Sequence, residues 1–314
     1  MQIRKSMMFQ ERKQSIFQCP IWVTVFALIA AIVWGWAYPL IKIGFREFQI
    51  TTSMTGSKML FAGVRFFISG LIILVIAQRL HRSFSVSKTS DYYFIFVYSL
   101  LNTTLHYAFF YFGLSHSQGS RAALLNSLGV FAVVILACLF FKSDKMTKNK
   151  LFGCIIGFAG LAMLNLGDTS KETDYSILGD NLIVLNALCS AFASLLTRSL
   201  SHRVDIFVGT GYSLALGGAL LVVFGLLAGG TFPIITTWGV VILLLLIGIS
   251  TTGFALYNKL ISCNPVGKIA IYNSLIPIIG AISSCLCLNE TFYWKYVLAG
   301  TFATIGIYII NRSK

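Results

Sequence analysis

Residues 22–44 read WVTVFALIAAIVWGWAYPLIKIG, and no charge interrupts the run before Lys42. A helix needs about 20 apolar residues to span the hydrocarbon core of a bilayer. This run meets that length and is far longer than the apolar core of a cleaved signal peptide. With no small-residue cleavage site after it, it reads as an uncleaved first span behind a basic tail, residues 1–21. Outward from it, nine further apolar runs follow at roughly 59–78, 93–114, 120–141, 149–166, 178–197, 206–228, 238–258, 267–288 and 294–311. The whole chain of 314 residues is 57% hydrophobic and only 11% charged, against about 25% charged in ordinary soluble domains. Lipid must solvate part of such a surface. The expected fold is an all-α integral membrane protein of ten transmembrane helices. The long unalternated runs speak against a β-barrel.

The net charge of +14 raises the question of nucleic acid, and the placement of the basic residues answers it. With the N-terminus in the cytoplasm, 17 of the 24 Lys and Arg fall on cytoplasmic segments, six on the opposite side, and Arg65 within a span. That asymmetry orients the chain with both termini cytoplasmic. No nucleic-acid recognition motif or basic-aromatic strip is present. The expected partners are the lipid bilayer and a small-molecule substrate. Cys138, Cys154, Cys189, Cys285 and Cys287 sit in apolar runs without a CxxC pair, as small packing residues do.

The chain also repeats itself. A shift of 147 places Asn126-Ser127-Leu128 on Asn273-Ser274-Leu275, Ala123 on Ala270, Arg121 on Lys268, Ser115 on Ser262 and Cys138 on Cys285. A shift of 146 pairs Asp144 with Glu290, Gly160 with Gly306 and Asn165 with Asn311, and near the start of each half a shift of 156 pairs Ala31 with Ala187, Ala37 with Ala193 and Lys42 with Arg198. Five spans per half is an odd number, so the second half enters the membrane from the opposite side. Two inverted five-helix repeats are expected, over 22–166 and 178–311. This architecture recurs in secondary transporters, with substrate held near the midplane between the halves.

Several short motifs fit one family. The first span carries Trp34-Gly35, Tyr38-Pro39 and Lys42; the second Val64-Arg65-Phe66; the ninth Asn273-Ser274-Leu275-Ile276-Pro277, closed by Glu290. Together they resemble the EamA-type branch of the drug/metabolite transporter superfamily, over nearly the whole chain after residue 22. Two positions depart from its pattern: Gly129-Val130 where a proline is common, and Asn289 where a glycine usually precedes the acidic residue. The resemblance implies ten helices, both termini cytoplasmic, and export of metabolites or amino acids as a common role. A bacterial inner membrane follows from family habit.

Polar groups within spans are costly and therefore informative. Trp34, Tyr38 and Lys42 share one face of the first span at i, i+4, i+8, with Lys42 placed to snorkel. Trp34 and Tyr38 are candidates to line a cavity or to act as interface anchors. Their repeat partners are Ser190 and Ser194, within a polar stripe of Asn186, Ser190, Ser194 and Thr197 that also suits close helix packing. Arg65 has two readings: an ion pair with Glu47, or an anchor for a carboxylate or phosphate, which the guanidinium fork suits. Asn102 and His106 share a face of the third span with Phe110 and Gly113; His106 is either a structural donor or an intramembrane proton carrier. Asn126 and Asn273 are equivalent in the two halves. Asn273, Pro277, Gly280 and Ser284 line a face of the ninth span, where a bend would free a carbonyl. Gly153/Gly157 and Gly225/Gly229 fit close helix packing.

No Asp or Glu lies in the middle of a run; Asp144, Asp180 and Glu290 sit near ends. Cation exchange usually needs a buried carboxylate, so neutral, zwitterionic or anionic cargo is favoured. No nucleotide-binding loop of the GxxxxGK[ST] type, no HExxH, no membrane Asp pair and no Ser–His set is found, so neither a cofactor, a metal nor an enzymatic activity is expected. The sequence favours an exporter of amino acids or related metabolites. Multidrug efflux is the alternative, since aromatic content suits flat apolar cargo, and a non-transporting scaffold ranks below both.

Overall fold

The computed structural model describes residues 16–86, 88–140, 146–162, 177–264, 269, 272–273 and 275–311. Among these there are helices and turns and no strand. In chain order the helices are α1 (Pro20–Glu47), α2 (Thr55–Arg79), α3 (Thr89–Ser99), a π-helical segment (Leu100–Leu105), α4 (His106–His116), α5 (Gly119–Asn126), α6 (Leu128–Phe140), α7 (Lys148–Ala162), α8 (Ile177–Ser201), α9 (Ile206–Leu227), α10 (Thr237–Cys263), α11 (Leu275–Leu288) and α12 (Trp294–Asn311). Six stretches are long and apolar enough to cross a membrane: α1, α2, α5 with α6, α8, α9 and α10; α11 and α12 are shorter apolar helices. Large apolar side chains such as Leu139, Leu227 and Leu286 are more than 70% exposed, which fits lipid rather than water as their solvent. The protein is an all-α, multi-pass membrane protein.

The start of α1 is set by Pro20 in the first turn, where its missing N–H costs nothing. Pro39 lies within the same helix and frees the carbonyl of Gly35 four residues before it. That carbonyl is approached by Ser283 Oγ of α11 at 3.4 Å. Gly35 itself lets α11 come close: an added Cβ would lie 2.5 Å from the Ile279 side chain.

Packing between the halves is symmetric under their exchange. Helix α2 packs on α9, and α7 on α12; α1 on α10 is mirrored by α8 on α4; α1 on α11 is mirrored by α8 on α5 and α6. Gly56, Gly63 and Gly70 repeat every seven residues on α2, as Gly211, Gly218 and Gly225 do on α9. Gly56 meets the Gly225 carbonyl, Gly63 meets that of Gly218 and Gly70 that of Gly211. Numbers rise along one helix as they fall along the other, so the pair is antiparallel. In the same way Gly153 of α7 meets Gly306 of α12, and Gly160 meets Ala299. Equivalent helices running antiparallel are what an inverted repeat requires.

Three sequence expectations change. The third span is not one regular helix: the π segment widens the turn and breaks the expected shared face. Asn102 reaches Ser213 on α9, Phe110 meets Tyr38 of α1 edge-on, and Gly113 packs on Ile183 of α8. Gly229 is no packing residue. It has φ +71° with nothing near its missing Cβ, and ends α9 as a left-handed turn, with Gly230 N–H donating to the Gly225 carbonyl. Lys42 does not snorkel alone; it pairs with Glu290 at 3.2 Å. The expected Asp144, Asn165, Lys268, Ala270 and Ser274 matches lie outside the described residues.

Candidate functional site

Polar and aromatic side chains from both halves meet in the middle of the bundle. Arg65 lies ten residues into α2, or about 15 Å at 1.5 Å per residue, close to mid-bilayer. It is 2% exposed. Its Nε donates to the Leu246 carbonyl at 3.1 Å and to Ser250 Oγ at 2.7 Å, both on α10, and its Nη1 donates to the Tyr111 hydroxyl of α4 at 2.9 Å. The guanidinium also lies over the Phe66 ring. The ion pair expected with Glu47 is absent: Glu47 Oε2 instead accepts from Thr236 Oγ1 at 2.9 Å, at the end of the molecule. The partners of Glu47 and Arg65, Thr236 and Leu246, lie ten residues apart along α10, about 15 Å, which is out of a carboxylate's reach. Among the described residues every partner of Arg65 is neutral, so its charge is buried without a counter-charge.

An aromatic set surrounds this cation. Trp34 meets Phe254 and Tyr257 edge-on, at 5.4 and 5.1 Å between ring centres. Tyr107 stacks on Phe66 at 3.9 Å and meets Phe254 and Phe110. Tyr38, 2% exposed, meets Phe110 at 5.3 Å. The repeat offset of 147 pairs Tyr107 with Phe254 and Phe110 with Tyr257, so α4 and α10 supply equivalent walls. Tyr107, Tyr111, Ser250, Phe254 and Tyr257 had not been singled out from sequence, yet that offset points to three of them.

The two equivalent asparagines do equivalent things. Asn126 Nδ2 donates to the Tyr38 hydroxyl at 2.9 Å, and Asn273 Nδ2 donates to the Tyr257 hydroxyl at 2.6 Å. Asn186, fully buried on α8, donates to Asn126 Oδ1 at 2.6 Å, while its own Oδ1 has no partner. The other candidates lie apart. Asn102 ties the π segment to α9 through Ser213, with Thr104 bonding the Gly217 carbonyl. His106 packs its ring on Tyr107, and its buried Nδ1 has no partner. Ser190 is half-buried one turn from Asn186, and its carbonyl accepts from Ser194 Oγ.

One end of this interior is closed by Glu290, beyond the end of α11. It accepts from Lys42 Nζ at 3.2 Å, Gly119 N at 2.8 Å, Ser120 N at 3.0 Å and Ser120 Oγ at 2.8 Å. Burial pushes the carboxyl up; the Lys42 charge and the three donors of α5 outweigh it and hold Glu290 below its ordinary value. A separate groove of about 450 Å³ between α1 and α10 is lined by Val33, Leu244, Leu245, Gly248 and Thr252. It faces away from Arg65, on the lipid side of α10. No cluster of three metal-ligating side chains occurs among the described residues.

Comparison with known proteins fits this geometry. A family model described as the EamA-like transporter family matches twice, over residues 21–166 and 177–312. The uncharacterised transporter YvbV of Bacillus subtilis (strain 168) is 26% identical over 292 residues, covering 90% of this chain and 89% of that protein. An uncharacterised transporter of Archaeoglobus fulgidus is 24% identical over 290 residues, covering 91% and 96%. A chloroplastic WAT1-related protein of Arabidopsis thaliana is 24% identical over 261 residues, covering 80% and 62%. One solved crystal structure shares the fold, with a TM-score of 0.66 at 15% identity over 91% of this chain and 95% of that one.

Proposed function

Since this chain belongs to the EamA-like transporter family, we propose that it is a secondary transporter exporting amino acids or related small metabolites by alternating access. The single observation that carries the cargo class is Arg65. An isolated charge in a bilayer costs about 3 kcal/mol or more, and this one is met only by neutral acceptors. A cargo carboxylate supplies the missing counter-charge and is desolvated in exchange for a charge-assisted bond. Trp34, Tyr38, Asn126 and Asn273 surround the same interior; Asn102, His106 and Ser190 are assigned to the flanks of the path.

In this proposal ten helices span the inner cell membrane with both termini cytoplasmic, as two repeats over 22–166 and 178–311 behind the tail of residues 1–21. The charge asymmetry supports that orientation. No chemical step is assigned to the protein. Alternating access follows from rocking one half against the other around the buried site. The aromatic set around Tyr107 and Phe254 favours one second reading, efflux of flat apolar compounds.

The test is mass spectrometry of small molecules inside and outside cells overproducing the protein, against an empty-vector control. An amino acid or related metabolite that builds up outside and falls inside is the expected result. Accumulation inside overturns export. No change in any metabolite overturns the metabolite reading and moves the weight to efflux, which a drug-tolerance screen then reads.

A further inference from the structure

The two asparagine–tyrosine bonds deepen this reading and rest on it. A phenol oxygen that accepts a hydrogen bond still has its own proton to donate. Tyr38 accepts from Asn126, and Tyr257 accepts from Asn273. Among the described residues neither tyrosine proton has an acceptor. The asparagines are repeat equivalents, whereas the tyrosines come from α1 and α10, helices of opposite halves that pack on each other. The Trp34 ring links the two positions: it lies one turn before Tyr38 on α1 and touches Tyr257. Asn186 Nδ2 donates to Asn126 Oδ1, which leaves Asn126 Nδ2 to face the Tyr38 oxygen. Both halves therefore aim an amide at a tyrosine oxygen and leave a proton uncommitted inside the bundle.

We infer that Tyr38 and Tyr257 determine specificity by donating their phenol protons to the anionic end of the cargo, with Asn126 and Asn273 as the positioning residues that aim them. Donors alone, one cation and two phenols, select a carboxylate over its neutral amide. A carboxylate accepts from each of them in turn along the path, while an amide brings N–H groups that meet only donors. A cargo passing between the halves meets one phenol after the other, because each half owns one asparagine–tyrosine pair.

The experiment uses the full chain in proteoliposomes, with a panel of radiolabelled L-amino acids and, for the best of them, its amide derivative. Wild type is expected to transport the amino acid and discriminate against the amide. Tyr38→Phe and Tyr257→Phe are each expected to raise KM about tenfold, the worth of a bond to a charged acceptor, with kcat changed by less than about twofold. Both are expected to narrow the preference over the amide. The double variant Tyr257→Phe/Asn273→Leu removes the amide that Tyr257→Phe leaves unpartnered, since the Asn273 side chain is bonded to Tyr257. KM staying raised in it supports the proposal; KM returning to the wild-type value traces the loss to an orphaned amide and overturns it. An unchanged KM in both single variants also overturns it while leaving the transport reading intact. Tyr257→Phe carries the test alone if the Tyr38 variant fails to fold. If wild type moves no member of the panel, the amino-acid reading fails and the inference falls with it.

Discussion

At the scale of single residues, the bundle holds Arg65 buried against neutral acceptors and leaves several polar atoms unpaired, and these respond differently to substitution. Arg65→Ala leaves the Tyr111 hydroxyl, Ser250 and the Leu246 carbonyl without their shared donor. Each unsatisfied group costs about 1–3 kcal/mol, so a lower Tm is expected along with loss of carboxylate flux. Arg65→Lys keeps the charge but not the fork; flux at least about tenfold down, with most of the Tm retained, is expected from one lost charge-assisted bond. Full transport of an anionic cargo by both variants sinks the anchor. His106→Phe removes a buried Nδ1 that has no partner and keeps the ring contact with Tyr107. Removing an unsatisfied atom does not destabilise, so an unchanged or higher Tm in detergent is expected. A fall of several degrees shows instead that the ring has a partner in the membrane. Of the candidate site, Trp34, Tyr38, Arg65, Asn126 and Asn273 were legible because their polar or amphipathic groups stand out within apolar spans. Tyr107, Tyr111 and Phe254 gain their place from the packing of α4 and α10 against α2, which no local pattern records; only the repeat offset pairs Tyr107 with Phe254. The partner of Arg65 was misread because sequence proximity placed Glu47 nearby, whereas the helix carries it to the far end.

At the scale of elements, glycine decides how closely the equivalent helices approach. An added Cβ at Gly63 would lie 2.5 Å from Val222 N and 2.8 Å from the Gly218 carbonyl. Backbone cannot step aside as a side chain can, so Gly63→Ala must part α2 from α9. A loss of at least about 2–3 kcal/mol is expected, as for overpacked cores. Gly248→Ala is the matched control: nothing lies within 4 Å of its added Cβ, and it relieves a glycine within α10 at a gain of about 0.5–1 kcal/mol. Thermal unfolding of the two variants side by side checks the pair, and equal Tm values would remove the glycine seam as the basis of the contact. The heptad of Gly56, Gly63 and Gly70 was present in the sequence and readable, since it recurs on α9. The π segment was not readable: Leu100–Leu105 carries no proline or glycine, and its widened turn is held by Asn102, Thr103 and Thr104 bonding to α9. Tertiary bonds of that kind leave no local pattern, which is why the third span's shared face was wrongly expected.

At the scale of the whole molecule, Glu290 joins the two halves at one mouth. The residue follows α11 of the second half, and its carboxylate takes donors from α1 and α5 of the first. Asn289 before it has φ +53°, a left-handed turn that asparagine accepts better than most residues. Opening this mouth must break the ion pair and the three bonds to α5. Because the folded-state pKa of Glu290 is lowered from 4.5, the clasp contributes its stability above the unfolded value. It loses that stability only as pH falls through the lower folded value. Between pH 8 and pH 5 the clasp should therefore hold unchanged. Cys285, half-buried one turn before the end of α11, reports on it when it is the only cysteine kept. Its labelling by a membrane-impermeant maleimide, corrected for the fraction of thiol ionised at each pH in the unfolded protein, is expected to stay flat over that range in wild type. Glu290→Gln keeps the shape but drops the charge, so its hold on Lys42 is lost while weaker bonds to Gly119 and Ser120 persist. Faster labelling of Cys285 at every pH is expected for that variant, and about a tenfold rise corresponds to the loss of one charge-assisted bond. Equal labelling in both proteins would mean that close packing of Gly35 and Gly280 between α1, α5 and α11 shuts the mouth alone. Glu290 would then be a cap for α5 and no part of the barrier.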